Sequence, residues 1–115
     1  MQALSPGRFE RLVGDALDLL PDELAELIDN VVVTIEDRHP DEPELLGLYE
    51  GIPLTERHDY GALVLPDRIT IYRLAVCELC ADEDELVEEV AVTVVHELAH
   101  HFGIDDERLE QLGWD

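Results

Sequence analysis

The feature that most constrains the fold is a long helical pattern at residues 82–103, which reads DEDELVEEVAVTVVHELAHHFG. Asp82 is the expected N-cap, and acidic residues crowd the first turn, where the helix dipole favours negative charge. Gly103 is the expected C-terminal stop, because glycine readily adopts the left-handed backbone that ends many helices. The sequence therefore predicts a helix with both ends defined.

The other patterns place helices, then strands, then helices along the chain. Ser5 and Pro6 begin a stretch with apolar residues at helical spacing, which is expected to be a helix capped at Ser5, and Pro21 begins a second helix over residues 22–30. Strands are expected at residues 31–37, 45–51, 62–65 and 68–73, and short helices at 74–81 and 105–113. This order predicts an α+β fold, a single domain over residues 1–115 with a small mixed or antiparallel sheet packed on helices.

The charge of the chain excludes several classes of partner. Its 29 acidic residues face only 7 basic ones, which gives a net charge of -22. A protein that binds a nucleic acid or an anionic membrane needs a surface patch of basic residues, so neither is an expected partner. Such an acidic protein raises the local concentration of cations, including metals, although the same charge also serves solubility.

Two further patterns bear on location. No apolar run reaches the ~18 residues of a membrane span, and the N-terminal segment MQALSPGRFERL lacks the basic start and apolar run of a signal peptide. A cytoplasmic protein is therefore expected.

The pentapeptide HELAH, residues 96–100, carries the clearest chemistry. On a helix, His96 and His100 lie one turn apart on the same face and can share one metal ion. Zinc accepts imidazole nitrogens, and catalytic zinc sites usually have three protein ligands. Glu97, beside the first histidine, has the position of a general base. The pattern therefore indicates a zinc-dependent hydrolase.

The residues after the pentapeptide make coincidence much less plausible. Gly103 lies seven positions after His96, and Asp106 lies ten positions after it. The helix must stop and the chain must turn back before a third ligand can reach the ion. Carboxylates follow this turn and can supply the third ligand, with Asp106 and Glu110 as the candidates.

These residues resemble a known signature. HELAHHFGIDD is similar to the HExxHxxGxxD motif of the zincin metallopeptidases, and VVHELAHHFGIDDERL resembles a family of small bacterial zincin-like proteins. The resemblance implies a C-terminal active-site helix, zinc held by His96, His100 and Asp106, Glu97 as the base, and a peptide or protein substrate. It also implies a sheet-edge strand that holds an extended peptide, for which residues 68–73 are the candidate.

One departure from the longer zincins concerns the floor of the metal site. Those whose motif continues past the glycine usually have a methionine-containing turn under the metal, whereas the only methionine here is Met1. Trp114 is the only large apolar residue after the last predicted helix. It is therefore the candidate floor, and it is expected near the metal ligands.

Other interpretations stay open. Cys77 and Cys80 have a spacing to His96 and His100 that fits a structural Cys2His2 zinc site. They also fit two small half-buried residues, since CELC has no turn residues around it and is expected to be helical. A third interpretation is a non-enzymatic module on a zincin scaffold that acts through a protein partner. The sequence is compatible with a homodimer, but it does not determine the oligomeric state.

Overall fold

The structure is a computed structural model that describes residues 1–51 and 67–114. Within these residues, helices come before and after the three strands in the sequence, and the strands form one sheet. This arrangement confirms the predicted α+β class. The elements in chain order are α1 (Pro6–Leu17), α2 (Asp22–Ile28), β1 (Val31–Glu36), β2 (Gly47–Glu50), β3 (Asp67–Tyr72), α3 (Arg73–Leu79), α4 (Glu83–Phe102) and α5 (Asp106–Gln111).

The helix ends are defined by local side-chain chemistry. Ser5 accepts a hydrogen bond from the backbone N–H of Arg8 at 3.2 Å and so caps α1. Asp82 caps α4 by accepting from the N–H of Glu85 at 2.8 Å. Gly103 ends α4 in the left-handed conformation, with φ 70° and ψ 28°. Each cap satisfies a backbone group that the helix itself leaves without a partner.

The described strands form a mixed sheet in the order β1-β3-β2. β1 is parallel to β3, and β2 is antiparallel to β3. The prediction that residues 68–73 form an edge strand is wrong, because β3 is paired on both sides. Residues 69–72 are all buried, as expected of a central strand, and buried Thr70 has its hydroxyl 3.0 Å from that of Thr34.

Helix α4 is the centre of the fold and contacts α1, α2, α3, β2 and β3. Its inward face is a stripe of apolar side chains at helical spacing. Each large apolar side chain that is fully buried stabilises the folded state by roughly 1.5–3 kcal/mol. The buried residues of α4 are Leu86, Val90, Ala91, Val94, Val95, Leu98 and Ala99.

Strand β2 approaches α4 closely because a glycine lies at the contact. A Cβ atom on Gly47 would lie 2.8 Å from Cγ2 of Thr93 and 3.2 Å from the carbonyl oxygen of Thr70. The missing side chain thus sets the distance between the sheet and the helix that carries the histidines.

Two remaining expectations concern strands and membranes. The strand predicted at residues 62–65 lies outside the described residues. Among the helices of residues 1–51 and 67–114, none has the length and apolar character that crossing a membrane requires.

Candidate metal centre

The last two turns of α4 place the histidines at the surface of the protein. The inward stripe of the helix is apolar, so His96 and His100 fall on the side that faces away from the core and are exposed. Glu97 lies between them in sequence and is half-buried. Both histidines lie within α4, so they are one helical turn apart on the same face, as the sequence predicts.

The chain turns back at Gly103 and begins α5. The carboxylate of Asp105 accepts a hydrogen bond from the N–H of Arg108 at 2.8 Å and caps this helix. The next residue, Asp106, is then the first residue of α5 and has an exposed side chain. Asp105 is therefore used as the cap of α5, and the carboxylate of Asp106 does not take part in capping this helix.

The turn at Gly103 brings α5 against the C-terminal half of α4 and leaves a small pocket between them. The pocket has a volume of about 70 Å³ and is lined by His96, Ala99, His100, Ile104, Asp106 and Leu109. Since a water molecule occupies roughly 30 Å³ in the liquid, the pocket has room for an ion and a water. The favoured third ligand, Asp106, lines this pocket, and the alternative Glu110 does not.

The donor set suits zinc by its chemistry, since two imidazoles and a carboxylate are ligands that zinc accepts in proteins. Within the described parts of the chain, however, no three His, Cys, Asp or Glu side chains are gathered as a group that could hold a metal ion. His96, His100 and Asp106 thus share a pocket without converging on one point, and exposed side chains can close such a gap by changing rotamer.

Glu97 lies in a less polar environment than its two histidine neighbours. Burial raises the pKa of its carboxyl above the ordinary value, and the proximity of His100 and His96 opposes that shift. A carboxylate with a raised pKa is a stronger base, which is the property a proton acceptor needs.

A second group of side chains joins the end of α4 to the sheet. The ring of His101 stacks on Tyr49 with centroids 4.0 Å apart, and its Nε2 lies 3.7 Å from Oδ2 of Asp67. The Tyr49 hydroxyl donates to the same carboxylate at 2.8 Å. The sequence favours a supporting or surface role for His101, but nothing in it indicates the partners of this side chain, because they lie on β2 and β3.

The cysteines lie elsewhere in the fold. Cys77 is in α3, Cys80 follows its last turn, and both are free and buried. Burial, with Glu89 and Glu85 nearby, raises the pKa of the Cys80 thiol to about 11. Neither cysteine lines the pocket of the histidines. Their placement fits the interpretation as small core residues.

Trp114 does not line the pocket of the histidines either. Its backbone N–H donates to the carbonyl of Leu109 at 2.8 Å, and its half-buried side chain lines a separate pocket with Leu19, Glu88 and Val92. The expectation that Trp114 forms a floor under the metal site finds no support in this placement, because the chain after α5 continues along α4, toward the N-terminal end of that helix.

The fold and the motif together define a class: an α+β protein whose long helix presents HELAH and whose next helix begins at an aspartate. The model of the family described as zincin-like metallopeptidase matches residues 28–114. The chain therefore belongs to the zincin-like metallopeptidase family, as its resemblance to the minimal zincins predicted.

The chain was also compared with solved structures and with curated proteins. A solved structure of a conserved hypothetical protein from Thermo thermophilus is similar, with a TM-score of 0.55 and 24% sequence identity. The similarity covers 86% of this chain and 94% of the other, and it supports the fold alone. Among curated proteins, none matches this chain.

Proposed function

We propose that the protein is a zinc-dependent peptidase in which His96, His100 and Asp106 hold Zn²⁺ and Glu97 is the general base. The observation that carries the proposal is that the three candidate ligands line one small pocket. Membership of the zincin-like metallopeptidase family supports it. The proposal retains the peptide or protein substrate and the cytoplasmic location expected from the sequence.

The three ligands would divide the work of holding the ion. The two imidazoles come from one rigid helix, so their spacing is fixed by the helix itself. The carboxylate of Asp106 comes from the start of α5 and lines the same pocket as the two imidazoles. Zinc bound there would supply Lewis acidity toward the scissile carbonyl and a water of lowered pKa.

Glu97 would carry the protons. Its carboxylate accepts a proton from the attacking water and then donates it to the leaving amine nitrogen, so the residue ends the cycle ionised as it began. Its half-buried position strengthens it as a base, since fewer water molecules stabilise the charged form. The peptide C–N bond breaks, and the water supplies the hydroxyl of the new carboxyl group and the proton on the new amine.

The experiment compares Glu97→Gln with the wild-type protein, both loaded with zinc and supplied with a mixed peptide library. Gln keeps the shape of the side chain but cannot accept the proton, so we expect hydrolysis to fall by ~10²–10⁴-fold while metal content and far-UV circular dichroism stay unchanged. Glu89→Gln, also half-buried on α4, is the matched control and should retain wild-type activity.

Full-rate hydrolysis by Glu97→Gln would show that another group, or a contaminating protease, does the cutting. Zinc binding by the wild-type protein without any hydrolysis would favour the alternative, a non-enzymatic module on the zincin scaffold.

A further inference from the structure

A larger pocket lies on α4 beside the candidate metal centre. It has a volume of about 390 Å³ and is lined by Leu19, Glu88, Val92, Gly113 and Trp114. Leu19 and Val92 are exposed by 51% and 38%, which is high for large apolar side chains next to a core. The pocket therefore presents apolar surface to solvent together with one carboxylate.

The two pockets are neighbours on α4, because Val92 lines one and His96, one helical turn later on the same face, lines the other. Val92 precedes His96 by four residues, which is a rise of about 6 Å along the helix. On the other side, Leu109 lines the pocket of the histidines, and its carbonyl accepts the N–H of Trp114. Since an extended peptide advances ~3.3 Å per residue, a side chain one to three positions from the cut bond would reach the larger pocket.

The lining of this pocket combines features that suit a cationic side chain. Lys and Arg have apolar stems that cover apolar surface and charged heads that stay near water or a carboxylate. An indole ring adds a favourable face for a guanidinium group. Trp114, Leu19 and Val92 supply the apolar and aromatic parts, and the exposed carboxylate of Glu88 supplies the countercharge.

The charge of the whole chain points the same way. The net charge of -22 creates a field that attracts cationic peptides and repels acidic ones. Much of the positive charge in the described parts of the chain is already neutralised within the protein, in ion pairs between arginines and carboxylates: Arg8–Glu83, Arg38–Glu78, Arg68–Glu50, Arg73–Asp37 and Arg108–Glu23.

We propose that the pocket formed by Leu19, Glu88, Val92, Gly113 and Trp114 is a substrate-specificity site that binds the Arg or Lys side chain of a peptide. The proposal rests on the proposed peptidase function, since it assigns a substrate class, cationic peptides, to the adjacent metal centre. In this site the carboxylate of Glu88 pairs with the cationic head group, and the ring of Trp114 forms one wall of the pocket.

Binding can be measured without cleavage, because Trp114 is the only tryptophan of the chain and reports on the pocket through its fluorescence. The full chain carrying Glu97→Gln is titrated with acetyl-Ala-Ala-Arg-Ala-Ala-amide. Matched peptides contain citrulline, which is neutral and nearly isosteric with arginine, or norleucine in the central position. We expect the arginine peptide to change the Trp114 emission and to bind roughly fivefold more tightly than the citrulline peptide, near the upper end for an exposed ion pair.

The charge of the pocket is tested by adding Glu88→Gln, and the matched control is Glu26→Gln, an exposed position on α2 that lines neither pocket. Glu88→Gln should abolish the preference for arginine over citrulline, whereas Glu26→Gln should leave it intact. Added salt should weaken the preference, since exposed charges are screened.

Equal binding of the arginine and citrulline peptides, or tighter binding of the norleucine peptide, would overturn the proposal. Equal effects of Glu88→Gln and Glu26→Gln would also overturn it, since the attraction would then come from the whole surface. The two proposals fail in distinguishable ways: arginine-selective binding without hydrolysis by the wild-type protein refutes the peptidase function and leaves the pocket as a binding site for cationic side chains that serves no cleavage. Hydrolysis without an arginine preference refutes only the assignment of this pocket.

Discussion

Gly47→Ala tests the claim that a missing side chain sets the distance between β2 and α4, the helix that carries the histidines. The new Cβ would lie 2.8 Å from Cγ2 of Thr93 and 3.2 Å from the carbonyl oxygen of Thr70. The first distance is shorter than van der Waals contact allows, and the second neighbour is backbone of the central strand. Thr93 has restricted χ1 freedom on a helix, so the strand or the helix must move.

The two opposing contributions can be estimated. Overpacking of a close contact costs about 1–3 kcal/mol, and the removal of a glycine from a strand returns about 0.5–1 kcal/mol by restricting the unfolded chain. The mid-range values differ by about 1 kcal/mol, so the free energy of unfolding should fall by about that amount in a urea titration. Gly14→Ala in α1 is the matched control, because a Cβ there meets nothing within 4 Å. It should raise the free energy of unfolding by ~0.5–1 kcal/mol.

Thr93→Ser separates the clash from other effects, because it removes the Cγ2 atom that the new Cβ would meet. In the double-mutant cycle, Gly47→Ala should cost less in the Thr93→Ser background than in the wild-type background. A Gly47→Ala protein as stable as the wild type, or a cost unchanged by Thr93→Ser, would refute the reasoning.

The remaining predictions concern the contacts around the end of α4 and the buried thiols. Tyr49→Phe removes the hydroxyl that donates to Asp67 but keeps the ring, so the free energy of unfolding should fall by about 1–2 kcal/mol in urea; an unchanged value would show that the hydrogen bond contributes nothing. Cys77 and Cys80 should resist iodoacetamide in the native protein at about pH 8 and react only on unfolding, because both are buried and burial raises the pKa of Cys80 to about 11. Rapid alkylation of the folded protein would contradict this.

Local chemistry explains why the helix boundaries were predictable from the sequence. Ser5 and Asp82 cap helices as predicted, and Gly103 ends α4 with the positive φ that favours glycine. Each signal acts within a few residues of the helix end that it defines. The same locality explains why Asp106 could be placed: once α4 ends at Gly103, little chain separates it from the next helix.

Contacts between distant parts of the chain were not predictable in the same way. An alternating strand pattern gives the face of each residue but not the neighbouring strands, so β3 could not be recognised as central before its pairing was known. The stacking of His101 on Tyr49 joins a helix to a strand far away in sequence. Trp114 lines the pocket with Leu19 and Val92 and not that of the histidines, which the sequence could not show because it depends on the direction in which the chain continues after α5.

The pocket favours Asp106 over Glu110 as the proposed third ligand, and this choice can be tested separately. Asp106 lines the pocket of the histidines, whereas Glu110 does not. Asp106→Asn should therefore weaken zinc binding in a competition titration with a chromophoric chelator, and Glu110→Gln should leave it unchanged. The reverse result would assign the third ligand to the later residue.

The most direct test of the metal centre is the zinc content of the full chain, purified without chelator or a histidine tag and measured by mass spectrometry of the metal. We predict one zinc ion per chain in the wild type and in the double variant Cys77→Ser with Cys80→Ser, and its loss in His96→Ala and in His100→Ala. Loss of zinc from the double cysteine variant would contradict the account and show that the metal belongs to a structural Cys2His2 site.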